Sequence, residues 1–251
     1  MSRLFSANMM RLQKSKIFLI GEIFMVGYAL FVYESAASTI ASKGSIDNWN
    51  TYFFNVLLAI GIVMAMFVSF FLGTEYGDGT IRNKLMVGHK RRDIYLVNFL
   101  SCLLAGLVMC ATYYLFSLIF GCLFIGKEIL QIQNIGRGLL CSMLILTVYT
   151  AIFVSVEMLD HNKARSMAVN SLGALFILMI GIVSYGQLVS HPDTAGFMWH
   201  IIEMLLPSVL VMHTASGTKQ IPYITIVLGL SIETACFMGI GIWGFGRKDI
   251  K

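Results

Sequence analysis

Residues 71–95 read FLGTEYGDGTIRNKLMVGHKRRDIY. This stretch carries five Lys/Arg, three acids and four glycines, and it interrupts long apolar runs. Immediately before it, Tyr52–Leu72 holds no charged residue, and after it Ile94–Ile125 holds none. Four more charge-poor segments complete the pattern: Ile17–Tyr33, Gly138–Val156, Ser166–Ser190 and Ile221–Gly246, the first interrupted only by Glu22 and the last only by Glu233. Each is long enough to cross a bilayer as a helix, which takes about 20 residues. A helix satisfies its own backbone in lipid, so the fold expected is all-α and integral to a membrane, with six spans.

Composition supports this. The chain of 251 residues is 57% hydrophobic and only 12% charged. A soluble domain carries roughly 25% charged residues, so a water-facing surface is not available here. The length leaves no room for a large soluble domain beside six spans, and residues 1–251 are expected to form a single transmembrane domain.

The net charge of +5 belongs to topology rather than to nucleic-acid binding. Six spans place both termini on one side. Fourteen Lys/Arg fall on that side: Arg3, Arg11, Lys14 and Lys16 in the N-terminal arm, Arg82, Lys84, Lys90, Arg91 and Arg92 in the opening stretch, Lys163 and Arg165, then Arg247, Lys248 and Lys251. Only Lys43, Lys127, Arg137 and Lys219 fall on the other. Cytoplasmic loops carry the basic excess, so the orientation expected is N-in, C-in. The first span reads as retained rather than as a cleaved leader, because it is long and interrupted by Glu22.

The arm, residues 1–16, sets Leu4, Phe5, Met9 and Leu12 on one helical face with Arg3, Arg11 and Lys14 toward headgroups, the pattern of a helix lying on the inner surface. Residues 192–219, apolar but broken at Pro207 and holding Glu203 and His200, read as an outer re-entrant hairpin. All five cysteines lie in apolar runs without a C-x-x-C pair, and read as small buried hydrophobes. No G-x-x-x-x-G-K-[ST] and no H-E-x-x-H occurs, and the five histidines are scattered, so neither a nucleotide-binding loop nor a metal or catalytic constellation is expected. The two intramembrane acids, Glu233 near the midplane and Glu22 a turn inside the first span, are candidates for a pathway or for a polar contact between helices.

Within the opening stretch, Asp78 is placed to cap a short helix. Thr80 to Val87 follow as helix, and Gly88 is placed to end it in the left-handed conformation. Gly79 falls at the first-turn position that tolerates proline. Ile81 and Leu85 share one face, leaving Arg82, Asn83 and Lys84 on the others. A plain cytoplasmic loop has no need of a cap, an apolar pair and a stop glycine.

Here the residues carry a resemblance. The pattern E-x-x-x-G-T-[IL]-x-x-x-L, followed by Gly, a basic residue and the next span, resembles the cytoplasmic signature of ABC-2-type permeases, the membrane subunits of ABC exporters. The matching positions are Glu75, Gly79, Thr80, Ile81, Leu85, Gly88, Arg91 and Tyr95. His89 and Lys90 depart from it, standing where a small polar residue is frequent. The resemblance extends over the chain in span number and loop length, and the small size is similar to permeases of bacitracin, lantibiotic and other peptide export or immunity systems.

The resemblance implies that residues 78–88 form a coupling helix docking on a separate ATPase subunit. Glu75, Tyr76, Asp78, Gly79, Thr80, Ile81, Arg82, Asn83, Lys84, Leu85 and Gly88 would be its docking set, with Ile81 and Leu85 as the apolar contacts. The arm would be the connecting helix beside it. ATP and Mg2+ would belong to the partner, and two permeases with two ATPases would assemble in a bacterial cytoplasmic membrane. The cargo implied is a peptide, lipopeptide or amphipathic drug. The alternative is a secondary ion or solute transporter, or a channel, using Glu233 and Glu22; it leaves the short helix unexplained.

Overall fold

The structure, a computed structural model, describes residues 2–44, 49–125, 135–160, 162–190 and 223–247. The re-entrant segment expected over 192–219 lies outside the described residues. Nine helices are described in chain order: α1 (Ser2–Gln13), α2 (Lys16–Lys43), α3 (Trp49–Phe53), α4 (Val56–Gly77), α5 (Thr80–Met86), α6 (Arg91–Phe124), α7 (Ile135–Leu159), α8 (Lys163–Ser190) and α9 (Tyr223–Arg247). No strand occurs among the described residues. Six helical stretches are long and apolar enough to cross a membrane, one for each expected span.

The helices run past the charge-free segments that announce them. α2 continues ten residues beyond Tyr33 to a glycine stop, where Gly44 takes φ 80° and its N–H reaches the Ile40 carbonyl at 2.7 Å. α4 continues past Leu72 to Gly77 and so carries Glu75 on its last turn, while α7 continues past Val156 and carries Glu157.

α4 occupies the middle of the bundle, packed against α2, α6, α7 and α8. α6 and α7 complete the interior, with Tyr95, Cys102, Met109 and Tyr113 of α6 and Ile145, Leu146 and Phe153 of α7 all buried. α2, α8 and α9 pack at the periphery and expose large apolar side chains outward, among them Leu19 and Phe31, Leu172 and Phe176, Ile232 and Trp243. An apolar exterior on helices of this length suits hydrocarbon, not water. Close approaches are set by small residues. A Cβ at Gly73 would lie 2.8 Å from Lys163 Cγ, and one at Gly106 2.8 Å from Leu146, so glycine there lets α4 meet α8 and α6 meet α7. Three cysteines are buried as expected, but Cys122 and Cys236 are exposed, on outward faces of α6 and α9.

Candidate functional site

The C-terminus of α4, the arm, α5 and the N-terminus of α6 gather at the end of the bundle that holds most of the basic residues. Two residues, Asp78 and Gly79, connect α4 to α5. Asp78 does not cap α5: its N–H closes α4 on the Thr74 carbonyl at 2.9 Å, and no side chain caps α5. The reversal is made instead by Gly79 at φ 65°, and the Thr80 hydroxyl donates to the Glu75 carbonyl at 2.9 Å. Gly79 is therefore a left-handed hinge and not a first-turn position open to proline, whose φ is fixed near −65°. Gly88, at φ 91°, ends α5 as expected. Its N–H bonds the Leu85 carbonyl at 2.9 Å and the next N–H, of His89, bonds the Lys84 carbonyl at 3.2 Å, the paired bonds of a glycine C-cap.

Glu75 is the centre of the site. Its side chain is fully buried, so an unpaired charge there would be costly. Three elements supply its partners. Arg11 of the arm pairs with Oε1 and also donates to the Phe71 carbonyl, its guanidinium lying 3.9 Å from the Phe71 ring centroid. Lys84 of α5 reaches the same Oε1 at 2.6 Å. Asn98 of α6 donates to Oε2 at 3.0 Å. Asn8 closes the ring: its amide donates to Asn98 Oδ1 at 2.7 Å, and its own Oδ1 accepts from Lys84 at 3.2 Å. One carboxylate faces two cations, and the excess positive charge is relieved because Arg11 and Lys84 retain 32% and 17% side-chain exposure.

This geometry revises the reading of the arm and of the short helix. The buried stripe of α1 is Leu4, Asn8 and Leu12, at i, i+4 and i+8, packed on α6. Arg11 turns inward to Glu75 rather than out to headgroups. Ile81, expected to meet a partner, is 1% exposed and belongs to the chain's own core, with Leu85 half-buried against it. The reason is the hinge: with only two residues between the helices, α5 folds back on α4 and α6 and spends its apolar pair there. What α5 presents outward is Arg82, Asn83, Met86 and Val87, the last two 68% and 77% exposed. Beside them a shallow hollow of about 310 Å³ is lined by Thr80, Asn83, Lys84, Val87 and His89.

Other positions of the pattern are anchors. The Tyr76 hydroxyl donates to the Met158 carbonyl at 2.8 Å, tying α4 to α7. Arg91 donates to the Phe245 carbonyl at 3.0 Å, and the Tyr95 hydroxyl meets Ser155 at 2.8 Å, so both hold α9 and α7 against α6. A second buried carboxylate, Glu157, accepts from Ser166 at 2.9 Å and Asn170 at 3.3 Å, and Asn170 also donates to Ser69 of α4 at 2.9 Å.

Sequence reasoning missed Asn8, Asn98, Glu157 and Asn170. The signal was a lone polar residue on an otherwise apolar helical face. Glu22 and Glu233 lie apart from both clusters. Oε1 of Glu22 and both carboxyl oxygens of Glu233 are buried without a hydrogen-bond partner among the described residues.

Six membrane-length helices define the class as a multi-pass membrane protein. The sequence model of the ABC-2 family transporter protein matches residues 4–181, more than half of the chain, and the chain belongs to that family. Members are membrane permease components of ABC exporters rather than ATPases themselves, and the family implies association with an ABC ATPase subunit. No curated protein matches the chain.

Proposed function

We propose that this chain moves a peptide, lipopeptide or amphipathic drug outward across a bacterial cytoplasmic membrane, driven by a separate ATPase that docks on α5. The observation that carries the docking reading is the Glu75 cluster. It joins α5 through Lys84 to the arm through Arg11, to the end of α4, and to α6 through Asn98. A push on α5 therefore reaches three other helices through buried, charge-assisted bonds, the strong kind. ATP and Mg2+ belong to the partner, and the basic end faces the cytoplasm. Two permease copies, or a copy and a homologue, assemble with two ATPases, with lipid around them.

The docking surface on this reading is the outward side of α5, with Met86 and Val87 as apolar anchors and the adjoining hollow as a socket. Interface cores favour apolar anchors, Met among them, within a polar surround. The test is co-purification of the ATPase with Met86→Ser/Val87→Ser. We expect the variant to stay folded, lose the ATPase and lose substrate-stimulated hydrolysis; full recovery of both defeats the docking reading. The unpartnered carboxylate of Glu233 favours one competing reading, a secondary transporter, which requires transport by the chain without any ATPase.

A further inference from the structure

A second feature lies toward the other end of the bundle, in the groove between α6 and α7. α6 contributes Leu107, Cys110, Ala111 and Tyr114, and α7 contributes Leu139, Ser142, Met143 and Leu146. On both helices the spacing is i, i+3, i+4, i+7, so each presents a single face to the groove. Cys110, Ser142 and Leu146 are buried and form the floor, Leu107, Tyr114 and Leu139 are half-buried along the sides, and Ala111 and Met143 are exposed at the mouth. The result is a cavity of about 180 Å³. Its length is about 10 Å, from seven residues at 1.5 Å each.

The floor offers almost nothing polar. The Tyr114 and Ser142 hydroxyls meet each other at 2.7 Å, and Ser142 also donates to the Gly138 carbonyl at 2.7 Å, so these groups are already occupied. An apolar cavity near 150 Å³ stays dry and accepts hydrocarbon. The groove is open on its outer side and continuous with the bilayer-facing surface of the same two helices, where Val108, Leu115 and Leu140 are exposed. It begins about 24 Å along α6 from the basic end, at 1.5 Å per residue, which puts it in the half of the bilayer away from α5.

We propose that this groove is a binding site for one acyl chain of a membrane phospholipid. The chain lies along α6 and α7 with its methylenes over Cys110, Ala111 and Ser142. The site is separate from the docking surface and rests only on the six-helix membrane architecture. It needs no ATPase to be tested, so its failure leaves the docking reading untouched.

The experiment uses the full chain in phosphatidylglycerol vesicles without any ATPase. A trace of phosphatidylglycerol carries a photoactivatable diazirine near the end of one chain, and crosslinked peptides are mapped by mass spectrometry. Crosslinks should concentrate on Cys110, Ala111 and Ser142 over Leu172 and Phe176, which face the bilayer on α8. Ala111→Phe fills the groove, and Ala111→Leu fills it less and spares the fold if phenylalanine does not. Either should cut groove crosslinking severalfold, because the filled groove no longer admits the chain, and leave α8 crosslinking unchanged. Uniform crosslinking along α6, α7 and α8 in the wild-type chain overturns the proposal, as does groove crosslinking that both variants leave intact. A groove that stays unlabelled while Ala111→Cys forms a disulfide between two copies also overturns it, since a second copy then covers the face.

Discussion

Replacing Glu75 by glutamine tests whether the buried carboxylate holds the arm, α5 and α6 together. Its three neighbours all donate: Arg11, Lys84 and Asn98. Glutamine keeps one acceptor oxygen and adds two donors, so neither orientation of its amide satisfies all three. With its carbonyl toward the cations, its NH2 meets the Asn98 NH2. Asn98 cannot simply turn over, because its oxygen already accepts from Asn8. Breaking a buried ion pair by removing one partner costs about 3–5 kcal/mol. Arg11 and Lys84 keep some solvent access, so the lower end, about 3 kcal/mol, applies. For a chain of this size that corresponds to a melting temperature lower by about 6–12 °C.

The protein carries its own reporter for the assay. Cys102, Cys110 and Cys141 are free and buried, so a thiol-reactive fluorophore reports unfolding as they become accessible, over a baseline from exposed Cys122 and Cys236. Arg11→Met should lower the melting temperature alone, yet add little on top of Glu75→Gln, because the pair is already broken. The expected coupling is about 1 kcal/mol or more, typical of residues within one network. A Glu75→Gln protein melting within about 2 °C of wild type, or strictly additive losses in the double variant, refutes the reasoning.

Ile81→Ala removes a core side chain rather than a docking contact, so it should cost about 2–4 kcal/mol of stability in the same melting assay; an unchanged melting temperature with loss of the ATPase would return Ile81 to the interface. Gly79→Pro requires a φ that the hinge does not have, so it should be at least as damaging to stability and ATPase recovery as Asn83→Pro in the middle of α5; a mild effect would show that the reversal is not built on a left-handed residue. Glu233→Gln should melt at or above the wild-type temperature, because it relieves an unpartnered carboxylate, while altering transport; a large drop in melting temperature would reveal a bonding partner. Cysteine at Lys43 should react with an impermeant thiol reagent applied to intact cells and cysteine at Lys90 should not, against the background of the native thiols; labelling at position 90 contradicts a cytoplasmic basic end.

The spans and the short helix are legible in the sequence because they depend on composition and local chemistry. Charge-free runs mark α2, α4 and α6 to α9, and Gly88 marks the end of α5 in the letters alone. What is not legible is direction. Ile81 and Leu85 are visibly an apolar pair, but whether that face meets a partner or the chain's own core depends on how sharply the chain reverses before it. That reversal turns on one glycine at φ 65°, which the sequence shows only as one of four glycines in a polar stretch. Asp78 is an equally good cap on paper, but it stands as the C-cap of α4 while Gly79 takes the N-cap position of α5.

The same logic explains why Glu75 looks in the sequence like a docking residue and proves to be an internal strut. Its partners come from positions 11, 84 and 98, so no local window contains the cluster. Asn8 and Asn98 look dispensable one at a time, each an amide among apolar neighbours. Together they fix the angle at which the arm crosses α6, because a buried amide must place its donors and acceptor on matching groups. On the proposed docking reading, the motif glutamate acts from inside the fold rather than by touching an ATPase. Any force that displaces α5 must either drag the arm, α4 and α6 with it or break the Glu75–Lys84 pair. Breaking it takes from a fully buried carboxylate one of its two cationic partners, so moving the helices together is the lower-energy response.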